Sequence, residues 1–267
     1  MLGLGSSLIN GLGVFGYNNT HAVSFDGTND YIDTGATFQS TFRGSFSFSF
    51  WMKSPSGSTL DNNAALFATW HDDDEDYVQF YNKAGKLTLT FFANNDGHRQ
   101  TADSATFSGT NGAAGTNDAW WHIACVVTKA SSGDTGFSTV MYKNGSVIAS
   151  TLFTGSVSAT NQAAYTNDKN LYIGARNIDA TADSFSEVII DDFALFNVAL
   201  DADAVTAIYN SGVPTDLLSN SGNYDNSGDL VAYYKLNEGS GTTATDATGG
   251  SDGTLTNGAA YSTDIPS

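Results

Sequence analysis

Along residues 44–52, G-S-F-S-F-S-F-W-M, the chain alternates with a period of two: Phe46, Phe48, Phe50 and Met52 fall on one side, Ser45, Ser47, Ser49 and Trp51 on the other. Successive side chains of a strand point to opposite faces, so the run predicts a strand with one apolar face. Burying each phenylalanine is worth about 1.5–3 kcal/mol, which drives that face inward. The serine and indole face is left to meet solvent, a second layer or a ligand. Similar patterns predict strands at Ala22–Phe25, Tyr31–Thr34, Ala65–Trp70, Tyr77–Tyr81, Lys86–Phe92, Phe137–Tyr142, Val147–Thr151, Leu171–Gly174, Val188–Phe196 and Leu230–Leu236. Trp120–Thr128 is apolar on both faces and predicts a central strand. Asn144-Gly145 is a hairpin signal between two of these runs.

One helix is predicted, Asp201–Ser211: Asp201 is the N-cap, Val205, Ile208 and Tyr209 form an apolar stripe, and Gly212 and Pro214 end it. The polar stretches 93–118 and 155–169 predict long loops, and the chain closes on a Gly/Thr/Asp-rich tail. About a dozen strands without a fixed repeat predict an all-β, two-layer antiparallel β-sandwich with one short helix near 201–211. Residues 21–267 read as one domain, preceded by a glycine-rich apolar arm over residues 1–20. That arm has no Lys or Arg ahead of its apolar residues, so no secretory signal is expected. Two readings of it stay open: a segment that docks on a partner chain, or a disordered leader.

Composition narrows the partners. The net charge of −18, from 28 acidic and 10 basic side chains, repels phosphate and so excludes nucleic acid and anionic membrane. Only Glu75, Glu187 and Glu238 are glutamates; the remaining 25 acids (28 minus 3) are aspartates, natural turn residues. Cys125, alone of its kind, permits no intrachain disulfide and reads as a small buried hydrophobe. No stretch approaches the roughly 18 apolar residues of a membrane-spanning helix.

Several segments, in this order and spacing, carry a resemblance: S-F-D-G-T-N-D-Y-I at 24–32, F-S-F-S-F-W-M at 46–52, W-W-H-I-A-C-V at 120–126, Y-K-N-G at 142–145, L-Y-I-G at 171–174 and I-I-D-D-F-A-L-F-N-V-A-L at 189–200, followed by the helix A-V-T-A-I-Y-N-S-G at 204–212. The chain resembles the laminin-G-like jelly-roll domains of the concanavalin A-like lectin/glucanase superfamily. One departure is clear. The segment Y-Y-K-L-N-E-G-S-G-T-T-A-T-D-A-T-G-G-S-D-G-T-L at 233–255 comes last here and first in the family, so the chain looks circularly permuted. Residues 230–236 are then expected to supply the family's first strand, near Ala22–Phe25.

The resemblance also implies a structural calcium ion. Asp26, Asp191, Glu238, Asp246 and Asp252 are the acids at motif positions, although Asp26 and Asp191 equally suit turn and sheet hydrogen bonds. The run His71-Asp72-Asp73-Asp74-Glu75-Asp76 is rich in oxygen ligands but lacks the spacing of a calcium loop, and reads first as a solvated loop. His122 is expected to be a strand residue with a satisfied ring. For sugar, the chemistry needed is flat aromatics beside amides, acids and guanidinium groups, which Trp70, His71, Tyr77, Asn94, Asp96, His98 and Arg99 supply if their loops converge. Retaining hydrolysis needs two carboxylates about 5–5.5 Å apart. The only near fit is Glu187 with Asp191, inside the family motif, so no catalysis is expected. The resemblance and the missing acid pair together imply a virion decoration or adhesion protein of a tailed phage, displayed on the particle surface. Its partners would be other virion proteins or further copies of itself, with host-surface glycans as ligands. The alternative is an extracellular bacterial carbohydrate-binding module.

Overall fold

A computed structural model of the chain describes residues 17–55, 60–69, 76–93, 96–101, 118–129, 137–152, 158–178 and 181–267. Its strands, numbered along the chain, are β1 (Ala22–Asp26), β2 (Tyr31–Asp33), β3 (Phe46–Lys53), β4 (Ala65–Ala68), β5 (Tyr77–Lys83), β6 (Lys86–Ala93), β7 (Asp96–Thr101), β8 (Trp121–Thr128), β9 (Ser138–Lys143), β10 (Ser146–Leu152), β11 (Tyr172–Ile173), β12 (Arg176–Ile178), β13 (Thr181–Asp183), β14 (Glu187–Phe196), β15 (Leu230–Tyr234), β16 (Thr243–Ala244), β17 (Gly253–Thr256) and β18 (Ala260–Ser262). Helices α1 (Gln39–Phe42), α2 (Ala159–Ala163) and α3 (Ala202–Tyr209) interrupt them. The strands pair antiparallel in two eight-stranded sheets. The first runs β10-β9-β8-β3-β14-β1-β18, with β15 also on β14; the second runs β16-β17-β2-β11-β4-β5-β6-β7. β12 and β13 form a separate hairpin. Among the described residues no helix is long and apolar enough to cross a membrane.

The sheets face each other across the phenylalanine row of β3. Phe46, Phe48, Phe50 and Met52 are fully buried, and the Phe48 ring centroid lies 4.6 Å from that of Phe67 and 4.9 Å from that of Phe80 on the opposing sheet. These edge-to-face contacts favour the aromatic quadrupoles as well as apolar burial. The opposite face of β3 meets a second apolar layer. There α3 lays Ala204, Val205 and Ile208 over Ala124, Val126, Ala194 and Phe196. Ser47 fixes the approach to the helix: its Oγ donates to the Val198 carbonyl at 2.8 Å and accepts from the Leu200 N–H at 2.9 Å. Asp201 caps α3 by accepting from the Ala204 N–H at 2.7 Å, as its sequence predicts.

β14 is the axis of the first sheet. One side pairs with β3; the other pairs with β1 through residues 187–190 and with β15 through residues 193–196. Residues 230–234 therefore lie end to end with Ala22–Asp26 along one edge of β14. The register breaks between Asp191 and Ala194, where Asp192 takes φ 50°. This bulge lets Ile190 and Phe193 both reach the core despite their odd spacing, and leaves the two aspartates beside it.

Some expectations change. The loop predicted over 93–118 contains β7, which pairs residue for residue with β6. The tail contributes β16, β17 and β18 because Leu255 is buried against the core and Tyr261 packs beside it. Two helical turns, α1 and α2, join the single predicted helix; both are too short for the periodicity that announced α3.

Candidate functional site

The outward face of the second sheet concentrates aromatic and amide chemistry. On β5, Val78 and Phe80 enter the core, so Tyr77, Gln79 and Tyr81 turn outward. On β6, Leu87, Leu89 and Phe91 point in and Thr88, Thr90 and Phe92 point out. Pairing aligns a row across this face: Asp33, Tyr172, Ala68, Gln79 and Thr90 are successive cross-strand partners. Tyr77 stacks on Phe92 with centroids 5.3 Å apart and planes 4° from parallel, and Tyr31 stacks on Tyr172 at 4.5 Å. Thr90 Oγ1 donates to the Tyr81 hydroxyl at 3.5 Å. Burial and the nearby Asp33 carboxylate push the Tyr172 hydroxyl well above the usual phenol range.

Gln79 is the exception in this row. Its side chain is 3% exposed, and its Nε2, withdrawn from solvent, meets no acceptor among the described residues. An unmade buried donor costs about 1–3 kcal/mol. Its place in the row, between Ala68 and Thr90, leaves the amide beside the smallest side chain on the face.

The residues expected to bind sugar divide. Trp70, His71 and Asn94 lie outside the described residues. Tyr77 is on the outward face, stacked as above. Asp96, His98 and Arg99 belong to β7, opposite Ala93, Phe91 and Thr90, and thus sit on one sheet with Tyr77 and not on a free loop. Gln79, Thr90, Tyr172 and Phe92 were absent from the sequence expectation. Their signal was present in Y-V-Q-F-Y and L-T-L-T-F, where alternation sets Gln79 between two outward tyrosines.

The acids named for calcium are spread over turns and sheet. Asp26 accepts from the Thr28 N–H at 2.7 Å, and Asp252 from the Asp246 N–H at 2.9 Å. Glu238 accepts from the Thr245 N–H at 2.7 Å and the Tyr261 hydroxyl at 2.8 Å. Asp246 Oδ1 accepts from the backbone of Tyr233 and Thr248 and from the Thr248 hydroxyl. Asp191 accepts from Asn19 Nδ2 at 2.6 Å. Its neighbour Asp192 accepts at Oδ1 from the hydroxyls of Tyr17 at 2.6 Å and Tyr233 at 2.7 Å. Among the described residues no three His, Cys, Asp or Glu side chains gather to hold a metal ion. Asp192 Oδ2 and Asp246 Oδ2 are buried without a hydrogen-bond partner among the described residues, but the named acids do not converge on one point as the six to eight oxygens of calcium require. Burial raises both adjacent carboxyls, Asp191 well above its ordinary range and Asp192 to about 7.

His122 departs from expectation. Its ring is fully buried between Trp51, at 5.1 Å, and Tyr209, at 6.0 Å, and neither ring nitrogen has a hydrogen-bond partner among the described residues. Burial lowers its pKa to about 3, so it stays neutral.

A family model described as the concanavalin A-like lectin/glucanases superfamily matches residues 26–206. No curated protein matches the chain. Among solved structures, a candidate carbohydrate binding protein from Bacteroides ovatus ATCC 8483 is similar over 92% of this chain and 61% of its own, at 20% identity and a TM-score of 0.56. This chain thus spans about three fifths of that protein's length. The CBM40 of the Ruminococcus gnavus IT-sialidase, whose structure is also solved bound to alpha2,3 sialyllactose, is similar over 70% of this chain and 96% of its own, at 13% identity and a TM-score of 0.51. At these identities the likeness is one of fold. With the two antiparallel sheets in place and 26–206 matched, the chain belongs to the concanavalin A-like lectin/glucanases superfamily.

Proposed function

We propose that the chain is a non-catalytic, glycan-binding sandwich that works outside the cell or on a particle surface. The observation that carries this reading is the outward face of the second sheet, where Tyr77 stacks on Phe92 and Tyr172 on Tyr31, with Phe92 and Tyr31 half-buried. Partly exposed aromatic rings meet the apolar C–H faces of sugars. The carbohydrate-binding descriptions of the Bacteroides ovatus and Ruminococcus gnavus proteins support the same ligand class. The non-catalytic part rests on Asp191: fully buried and hydrogen-bonded to Asn19, it is withdrawn from any glycosidic bond. Titration calorimetry against a panel of neutral oligosaccharides tests the reading, with saturable binding and no release of reducing sugar as the expected result. Absence of binding across the panel, or hydrolysis of any member, would overturn it. Attachment to a tailed-phage virion is the narrower form of the proposal: light scattering of the purified protein separates an assembling oligomer from the monomer expected of an extracellular bacterial module.

A further inference from the structure

We infer that the protein pairs with a second copy of itself through an uncharged apolar strip on the outer layer of the first sheet, formed by Val147, the ring of Tyr209 and Val213. The inference stands apart from the glycan-binding reading.

Two observations build the strip. Val147 and Val213 are each 53% exposed, two of the three large apolar side chains that the described residues leave in solvent. The half-buried ring of Tyr209 joins the segments that hold them. A Cβ built on Gly145 would lie 3.1 Å from Tyr209 Cδ1, and one built on Gly212 would lie 3.9 Å from the Tyr209 hydroxyl. Gly145 sits in the β9–β10 turn with φ 72°, so the left-handed turn and the nearby ring both favour glycine there. Val147 follows two residues later, opposite Tyr142, which packs in one apolar layer with Val205 and Ile208 of α3. Directly opposed residues of an antiparallel pair share a face, so Val147 stands on that same outer layer. Val213 follows Gly212 directly, where the chain leaves α3.

Charge names the occupant. The chain carries −18, so two copies repel wherever their acids meet. Residues 144–152 and 204–215 hold no charged side chain. The charges that flank them are spent or set back. Lys143 lies over the Trp121 ring at 3.3 Å, and Asp216 pairs with Lys235 at 3.0 Å. Asp203 stands about 9 Å up the helix from Tyr209. Interface cores are depleted of charge and enriched in tyrosine, as this strip is. A basic partner would be drawn to the acids elsewhere on the surface, and an acidic one repelled by them. A second copy meets the least repulsion here, and a two-fold pairing sets the same strip on both sides. An interface built on so few side chains belongs to the small class, below about 1,200 Å², and dissociates on dilution.

Sedimentation equilibrium of the full chain over a hundredfold range of concentration tests this pairing. The wild type should pass reversibly between monomer and dimer. Added NaCl should tighten the dimer at least twofold by screening the repulsion between copies. Val147→Asp and Val213→Asp should each weaken it at least tenfold, whereas Leu218→Asp, at an exposed apolar position outside the strip, should leave it unchanged. Because all three side chains are exposed, each variant should melt within a few degrees of the wild type. Amide exchange of the wild type should slow at residues 144–149 and 209–213 as concentration rises, a readout that needs no variant. A wild type that stays monomeric throughout overturns the inference. So does a dimer that salt dissolves, that either valine substitution leaves intact, or that Leu218→Asp breaks equally, and so does exchange unchanged along the strip. None of these outcomes bears on saccharide binding, which calorimetry reads separately.

Discussion

Over the first sheet, Ser47, Ser49 and Trp51 lie beneath α3, and the Ser47 hydroxyl is bonded to the chain that leads into the helix. Over the second sheet, Tyr77, Gln79, Thr90 and Tyr172 are buried to a similar degree, yet Gln79 keeps a donor with nothing to meet. Burial is therefore not what separates the two faces. Among the described residues the unmatched groups include the His122 ring on the first face and the Gln79 amide on the second. The neighbours differ. His122 stays neutral between the rings of Trp51 and Tyr209, whose π-faces can receive a weak N–H contact. Gln79 stands between an alanine and a threonine, with no ring beside it in the row. The first face is sealed by a helix, and the second carries two stacked ring pairs whose outer rings, Tyr31 and Phe92, stay half-buried.

The sharpest way to break that contrast is to loosen the seal. Ile208→Ala removes a buried side chain from the helix that covers the first sheet. A change of this kind costs about 2–5 kcal/mol, or a melting temperature lower by roughly 10 °C in a chain this long. Saccharide affinity of the folded protein should be unchanged. A parallel loss of affinity in a variant that still melts cooperatively would mean that the two faces are coupled, and that the seal belongs to the site.

Titration gives a smaller effect of two signs, both from the first sheet. Burial pushes the folded Asp192 carboxyl up to about 7, against 3.8 when unfolded, so between those values the folded state holds more protons. The stability it contributes is complete below the lower value and lost as pH rises through the upper. His122 is the reverse: about 3 when folded against 6.5 unfolded, so its stability is lost as pH falls from 6.5 through 3. Melting curves from pH 4 to 8 should show Asp192→Asn gaining on the wild type toward pH 8, and His122→Phe gaining toward pH 4. Variants that track the wild type at both ends would mean that neither group is as dry as the fold makes it.

Much of the fold was legible because period two survives in the residues that matter. F-S-F-S-F-W-M, K-L-T-L-T-F-F and Y-V-Q-F-Y each assign inward and outward positions without a partner strand. The helix was legible from Asp201 and the stripe at Val205, Ile208 and Tyr209. What failed was whatever depends on long-range pairing. V-I-I-D-D-F-A-L-F reads as one regular strand, and only the register against β3 reveals the bulge at Asp192. The H-R-Q segment at 98–100 has no apolar alternation, so β7 becomes visible only by pairing with β6. For the site, Asp96, His98 and Arg99 stand out as polar residues in a polar stretch, whereas Gln79 reads as an ordinary strand position. Its interest lies in a missing acceptor, and no sequence displays that. We propose that residues 230–236 fill the place of the family's first strand; their position end to end with β1 along β14 supports the permuted order.

The smallest effect concerns metal. A calcium ion bound to the native state alone stabilises it in proportion to the logarithm of its free concentration, so its removal should lower the melting temperature by several degrees. Asp26 and Asp246 instead cap their own turns, while Glu238 and Asp252 accept from the Thr245 and Asp246 backbone. Asp191 and Asp192 are bonded to Asn19, Tyr17 and Tyr233. Melting with excess EDTA should therefore shift by less than about 1 °C, since an ion that is not bound contributes no such stabilisation. A larger fall that added calcium reverses would place an ion on this protein, and the deletion to make next is clear. Asp191→Asn would test the buried pair, and neutralising residues 72–75, which lie outside the described residues, would test the acidic run. A calcium effect abolished by the first change would join the first sheet's buried acids to a metal. The contrast between a sealed face and a binding face would then have to be redrawn around that ion.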